Sequence, residues 1–153
     1  MSEKDPIRVF AAHLFEENID YLRLFEYLES RDRFFYLNTS DPENMPEGGG
    51  TEAIKEELRK QIEPAEIVIV PVATFDRNPD LVRFQMDVAQ AFKKPLLAIR
   101  SFGGTVVIQK EILDRVDDLV EWNDRVITDA IRRLARNEDT AQWEVIEFDP
   151  TDL

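Results

Sequence analysis

The 153-residue sequence predicts an α/β domain: an open, mostly parallel sheet with helices on both faces. Three observations carry that expectation. Five short runs rich in β-branched and aromatic residues begin near Ile7, Phe34, Glu66, Pro95 and Asp118. Between them apolar residues recur at helical spacing, so strands and helices alternate. The central run IVIVPV, Ile67 to Val72, is apolar on both alternations, which suits a strand covered on both faces, as parallel strands are.

Each element has its own justification. IRVFAA, Ile7 to Ala12, is the first strand, and HLFEEN after it is a loop whose Asn18 caps a helix. That helix carries Ile19, Leu22, Phe25 and Leu28, with Tyr21 and Leu24 beside them. FFYLNT, Phe34 to Thr39, reads as strand two. DPENMPEGGG, Asp41 to Gly50, holds two prolines and three of the five glycines, so it is expected to be an exposed, mobile loop. Helix two, from about Thr51, places Ile54, Leu58 and Ile62 on one face until Pro64 stops it.

Ile67 to Ile99 is the most self-contained stretch, one βαβ unit. After strand IVIVPV and a loop, Asn78 offers a side-chain oxygen to free helix N–H groups, Pro79 suits the first helical position, and Asp80 suits the positive end of the dipole. Leu81, Phe84, Val88 and Phe92 form the expected apolar stripe, and Lys93-Lys94-Pro95 ends the helix before LLAI starts strand four. Arg100 to Gly104 is a second loop, and TVVIQKEILDRV reads as an extended piece followed by a helical turn or two. DLVEW is strand five, and Asn123 caps a last helix with Val126, Ile127, Ala130, Ile131 and Leu134. Residues 1–136 make one domain. The acidic tail 137–153 contains WEVIEF, which reads equally as a late edge strand or a packed arm.

Right-handed crossovers make the flavodoxin-like strand order 2-1-3-4-5 the expected topology, with a ligand crevice at the C-terminal ends of strands one and three. A chain of this size buries roughly 70% of its unfolded surface without staples. It has no cysteine, so disulfides, thiolate metal sites and thiol catalysis are excluded. A net charge of −13 argues against nucleic acid or an anionic membrane as partner. No apolar run reaches the ~18 residues that span a bilayer, and the start MSEKDP carries no signal-peptide pattern, so the expected location is cytoplasmic.

The expected crevice collects His13, Phe15, Glu16 and Glu17 from the first strand end, and Asn38, Ser40 and Asp41 from the second. Thr74, Phe75, Asp76 and Arg77 come from the third, and Gln85 from the helix that follows. Several occupants of such a fold are excluded or disfavoured. HLFEEN has no glycine-rich phosphate turn, GxxxxGK[ST] is absent, and strand ends AAH, PVA and EWN lack a receiver's clustered acids. His13 is the only histidine, and without clustered ligands no metal site is expected. Structural and ligand-contacting readings of His13 both stand. Phe15 reads equally as a base-stacking ring or a plug for the sheet end.

Three segments together resemble the TIR-like domains of the Thoeris ThsB-like group, over about residues 7 to 135. They are IRVFAAHLFEEN, the stretch Ile67–Ile99, and DDLVEWNDRVITDAIRRL. The resemblance implies a flavodoxin-like fold and a signalling role of the kind used in anti-phage defence. Enzymatic TIR domains cleave NAD at the nicotinamide–ribose bond, and some cyclise the product. The resemblance makes His13, Phe15, Asn38, Ser40, Asp41, Thr74 and Phe75 the candidate nucleotide-binding residues. The catalytic position falls on Gln85, where the family has a glutamate; Leu81 stands in the place of its aromatic and Ala89 in that of its small residue. A neutral amide cannot act as a base and lacks the charge that stabilises a developing oxocarbenium ion.

Two functions therefore remain as expectations. One is an interaction or nucleotide-binding module, non-catalytic or weakly active, that assembles with itself or another signalling protein. The other is an NAD-cleaving or cyclising enzyme. No tightly bound cofactor is expected, with NAD entering as ligand or substrate.

Overall fold

In the computed structural model, which describes residues 1–138, five strands form a single sheet. They are β1 (Ile7–Ala11), β2 (Tyr36–Asn38), β3 (Ile67–Pro71), β4 (Leu96–Ile99) and β5 (Asp118–Val120). All neighbours are parallel and the order is β2-β1-β3-β4-β5, the flavodoxin-like arrangement that the sequence predicts. Alternation along the strands divides the core into two layers. Phe10, Val68, Val70, Leu96 and Ala98 point to one face, and Ile7, Val9, Ile67, Ile69, Leu97 and Ile99 to the other.

The first face is covered by α2 (Gly50–Ile62), α4 (Pro79–Ala91) and α5 (Lys110–Arg115), which bring Leu58, Ile62, Val82, Met86 and Ile112 into it. The second is covered by α1 (Ile19–Glu29) and α6 (Asp124–Arg136), through Tyr21, Leu24, Leu28, Ile127, Ala130 and Ile131. Expected caps are in place. Asn18, Asn78 and Asn123 each accept a backbone N–H three residues on, from Tyr21, Leu81 and Val126. Arg136 ties the end of α6 to the sheet, donating to Asp5, Glu66 and the Pro6 carbonyl. Among the described residues no helix is long and apolar enough to cross a membrane.

Four expectations need correction. The strand read as IVIVPV stops at Pro71, and Val72–Arg77, taken for a loop, is a short helix, α3. Six residues are too few to display helical periodicity, but Val72 and Phe75 are both buried on one side. Strand two is shorter than Phe34–Thr39, because Phe34 leaves the edge to pack in the layer under α1 and α6. Likewise, β5 ends at Val120 rather than Trp122.

The stripe on α4 is also shifted. Its buried residues are Val82, Gln85, Met86, Val88 and Ala89, whereas Leu81 and Phe84 are half-buried and Phe92 is 40% exposed. The helix is flanked by α2 as well as the sheet. Phe84 turns toward α2, where the Lys55 ammonium and the Arg59 guanidinium each lie 5.3 Å from its ring centre. That rotation carries Gln85 into the buried stripe. The segment WEVIEF lies outside the described residues.

Candidate functional site

The loops leaving β1 and β2 are held by side chains rather than by ladder bonds. Past the end of β1, His13 turns inward until it is 1% exposed. Its Nδ1 accepts the Phe15 N–H at 3.2 Å, and its Nε2 lies 2.8 Å from Gln61 Oε1. An acceptor at Nδ1 and a donor at Nε2 define the neutral Nε2–H tautomer. Burial holds the imidazole pKa below its ordinary 6.5, outweighing the Gln61 bond and the charges of Asp41 and Glu57, which act the other way. Phe15 meets the imidazole edge-on at 4.7 Å between ring centres. It adopts φ 59°, a left-handed conformation rare for an aromatic residue, pinned by the bond to Nδ1.

Two glutamines clamp these loops in the same way. Gln85, fully buried on α4, accepts the His13 N–H at 3.1 Å and donates to the His13 carbonyl at 2.8 Å. Its second amide hydrogen reaches the Leu81 carbonyl at 3.2 Å. Gln61 on α2 accepts the Asp41 N–H at 2.8 Å and donates to the Asp41 carbonyl at 3.2 Å. It also donates to Glu57 at 3.0 Å. Because His13 bonds Gln61, one imidazole and two amides connect α4, the β1 loop, α2 and the β2 loop.

A third group closes on itself. The Asn38 amide donates to the Tyr21 hydroxyl at 3.0 Å, and Tyr21 and Ser40 share a hydroxyl bond of 2.8 Å. Ser40 Oγ donates in turn to Asn38 Oδ1, which also accepts the Ser40 N–H at 2.9 Å. Since the Ser40 hydrogen goes to Asn38, Tyr21 must be the donor to Ser40.

Between these loops lies a cleft of about 570 Å³. Phe15, Asn38, Ser40 and Asp41, four of the candidate residues, line it, together with Glu16, Glu17, Asn18, Tyr21, Leu22, Pro42, Glu43 and Met45. The other four do not. His13 and Gln85 lie behind the wall as supports, Thr74 is fully buried, and Phe75 borders a separate hollow of about 270 Å³ beside Arg83 and Glu111. The cleft thus opens beside β1 and β2, not at the expected crevice of strands one and three, whose ends are filled by α3, Thr74 and Phe75.

Sequence reading left out Gln61 and assigned Tyr21 only to an apolar stripe. A signal for Gln61 exists: it stands three residues after Leu58 and beside Ile62, on the buried flank of its helix.

The chemistry open to the site is limited. Both His13 nitrogens are engaged, and Glu16 pairs with Arg77 at 3.1 Å. Among the described residues no lysine or arginine lines the cleft. Among the described residues no three His, Cys, Asp or Glu side chains stand together as metal ligands. No protein-family model matches the chain, and no curated protein matches it.

Proposed function

We propose that this chain is a TIR-like signalling module that works by binding and assembling, with itself or with another signalling protein, rather than by cleaving NAD. One observation carries the reading: the side chain at the position of the family's glutamate is a fully buried amide whose hydrogens and oxygen are already bonded to His13 and Leu81. With both amide hydrogens committed and the side chain buried, this group has no donor to offer ribose hydroxyls and no charge for a developing cation. The lining of the cleft supports the same reading, because among the described residues a pyrophosphate would meet carboxylates and no cation there.

The test is incubation of the purified chain with NAD, following nicotinamide release, beside a Gln85→Glu variant, with sedimentation velocity over a range of protein concentrations. The reading expects no release from either protein and a concentration-dependent increase in size, or capture of a signalling partner. Nicotinamide release by the unmutated chain overturns it.

A further inference from the structure

We propose that the 570 Å³ cleft is a binding site for a small organic cation, an amine carried on a flat apolar body. Its volume lies within the range of roughly 300–1,000 Å³ typical of small-molecule sites. This goes beyond the reading above, with which it shares the acidic lining of the cleft, and the titrations below test the cleft directly, without reference to NAD turnover.

Three features of the wall agree on that ligand class. The apolar part comes from Phe15, Leu22, Pro42 and Met45, and Phe15 is held at the cleft in a strained conformation by the bond to His13. Among the described residues the charged part is anionic, from Glu16, Glu17, Asp41 and Glu43, within a chain of net charge −13. Arg77, which does not line the cleft, is engaged with Glu16. A cationic ligand is therefore drawn in and an anionic one repelled.

The third feature is independent of charge. Tyr21 and Ser40, 8% and 7% exposed, both line the cleft. Each of their hydroxyl hydrogens is committed within the ring with Asn38, so what both hydroxyls have left is lone pairs. An ammonium is a donor without acceptors and complements such a wall; a hydroxyl or amide ligand matches it only in part. An aromatic body beside Phe15 adds burial and ring contact.

The experiment uses three indoles with one body and different charge: tryptamine, tryptophol and indole-3-propionate. Each is titrated into the full chain while backbone amide chemical shifts are followed. Saturable shifts at Phe15, Tyr21, Ser40 and Asp41 are expected with tryptamine, weaker binding by about tenfold with tryptophol, and none with indole-3-propionate. A Glu17→Gln/Glu43→Gln double variant changes two exposed positions without touching the core. It should weaken tryptamine by about tenfold and leave tryptophol unchanged. Equal affinity for all three indoles overturns the proposal, as does unsaturable tryptamine binding spread over the acidic surface. Undiminished tryptamine binding by the double variant overturns it too.

Discussion

The side-chain amide of Gln61 holds the backbone of Asp41 at both ends, accepting its N–H at 2.8 Å and donating to its carbonyl at 3.2 Å. The same oxygen faces His13 Nε2. The start of the Asp41–Gly50 loop is therefore attached to the body of α2, although the sequence marks that loop only as exposed and glycine-rich.

Removing that amide should be felt at three places. Gln61→Ala leaves the buried His13 Nε2–H without its partner, an orphan that costs about 1–3 kcal/mol, and frees the N–H of the exposed Asp41 from its clamp. We expect a loss of about 1–3 kcal/mol in denaturant unfolding, with faster amide exchange at Asp41. The Glu57 carboxyl, held below its ordinary 4.5 chiefly by the bond from Gln61, should titrate higher in the variant. A loss under about 0.5 kcal/mol, with Glu57 unmoved, would show that the clamp contributes nothing.

A carboxylate at position 85 should weaken this fold. In Gln85→Glu the atom that replaces the donor faces the His13 and Leu81 carbonyl oxygens, so an ionised side chain is repelled there and a protonated one can still donate. We expect a loss of about 2–4 kcal/mol near neutral pH that shrinks as the solution is made more acid. Unfolding curves at two pH values read it out. A variant as stable as the parent, or equally destabilised at both pH values, contradicts the geometry.

His13 should make stability depend on pH. Its folded pKa is depressed, so below 6.5 the unfolded chain binds a proton that the folded chain refuses. The contribution is complete above pH 6.5 and is lost as pH falls through the lower folded value. Glu57, Glu66 and Glu111, held below 4.5 in the folded chain, act in the same direction but further into acid. Comparison of the parent with His13→Leu between pH 6.5 and 4.5 isolates the histidine. The parent should lose stability faster than the variant as pH falls; parallel curves would rule the mechanism out.

Thr74 should tolerate loss of its hydroxyl. It is fully buried, and among the described residues its Oγ1 has no hydrogen-bond partner. Thr74→Val keeps the shape and removes an unpaired polar atom, so stability should be unchanged or rise by up to about 1 kcal/mol. A loss greater than about 1 kcal/mol would mean that the hydroxyl serves a purpose this geometry does not contain.

The sequence by itself determines the sheet. Runs apolar on both alternations, such as IVIVPV and LLAI, must be covered on both faces, and asparagine caps before helical stripes require alternating helices. Those signals are local and periodic, so they survive without coordinates. Six residues that line the cleft, Phe15, Glu16, Glu17, Asn38, Ser40 and Asp41, were also legible, because strand ends follow from topology.

Tertiary structure decided which strand ends hold a cavity and which are filled. It turned α4 by packing Phe84 against α2, and so converted Gln85 from a candidate in an open crevice into a buried clamp. It also recruited Gln61, 48 residues from His13, and closed the ring of Tyr21, Ser40 and Asn38. Hydrogen-bond partners far apart along the chain leave no periodic trace, because an amide on a helix reads the same whether it meets water or a distant loop.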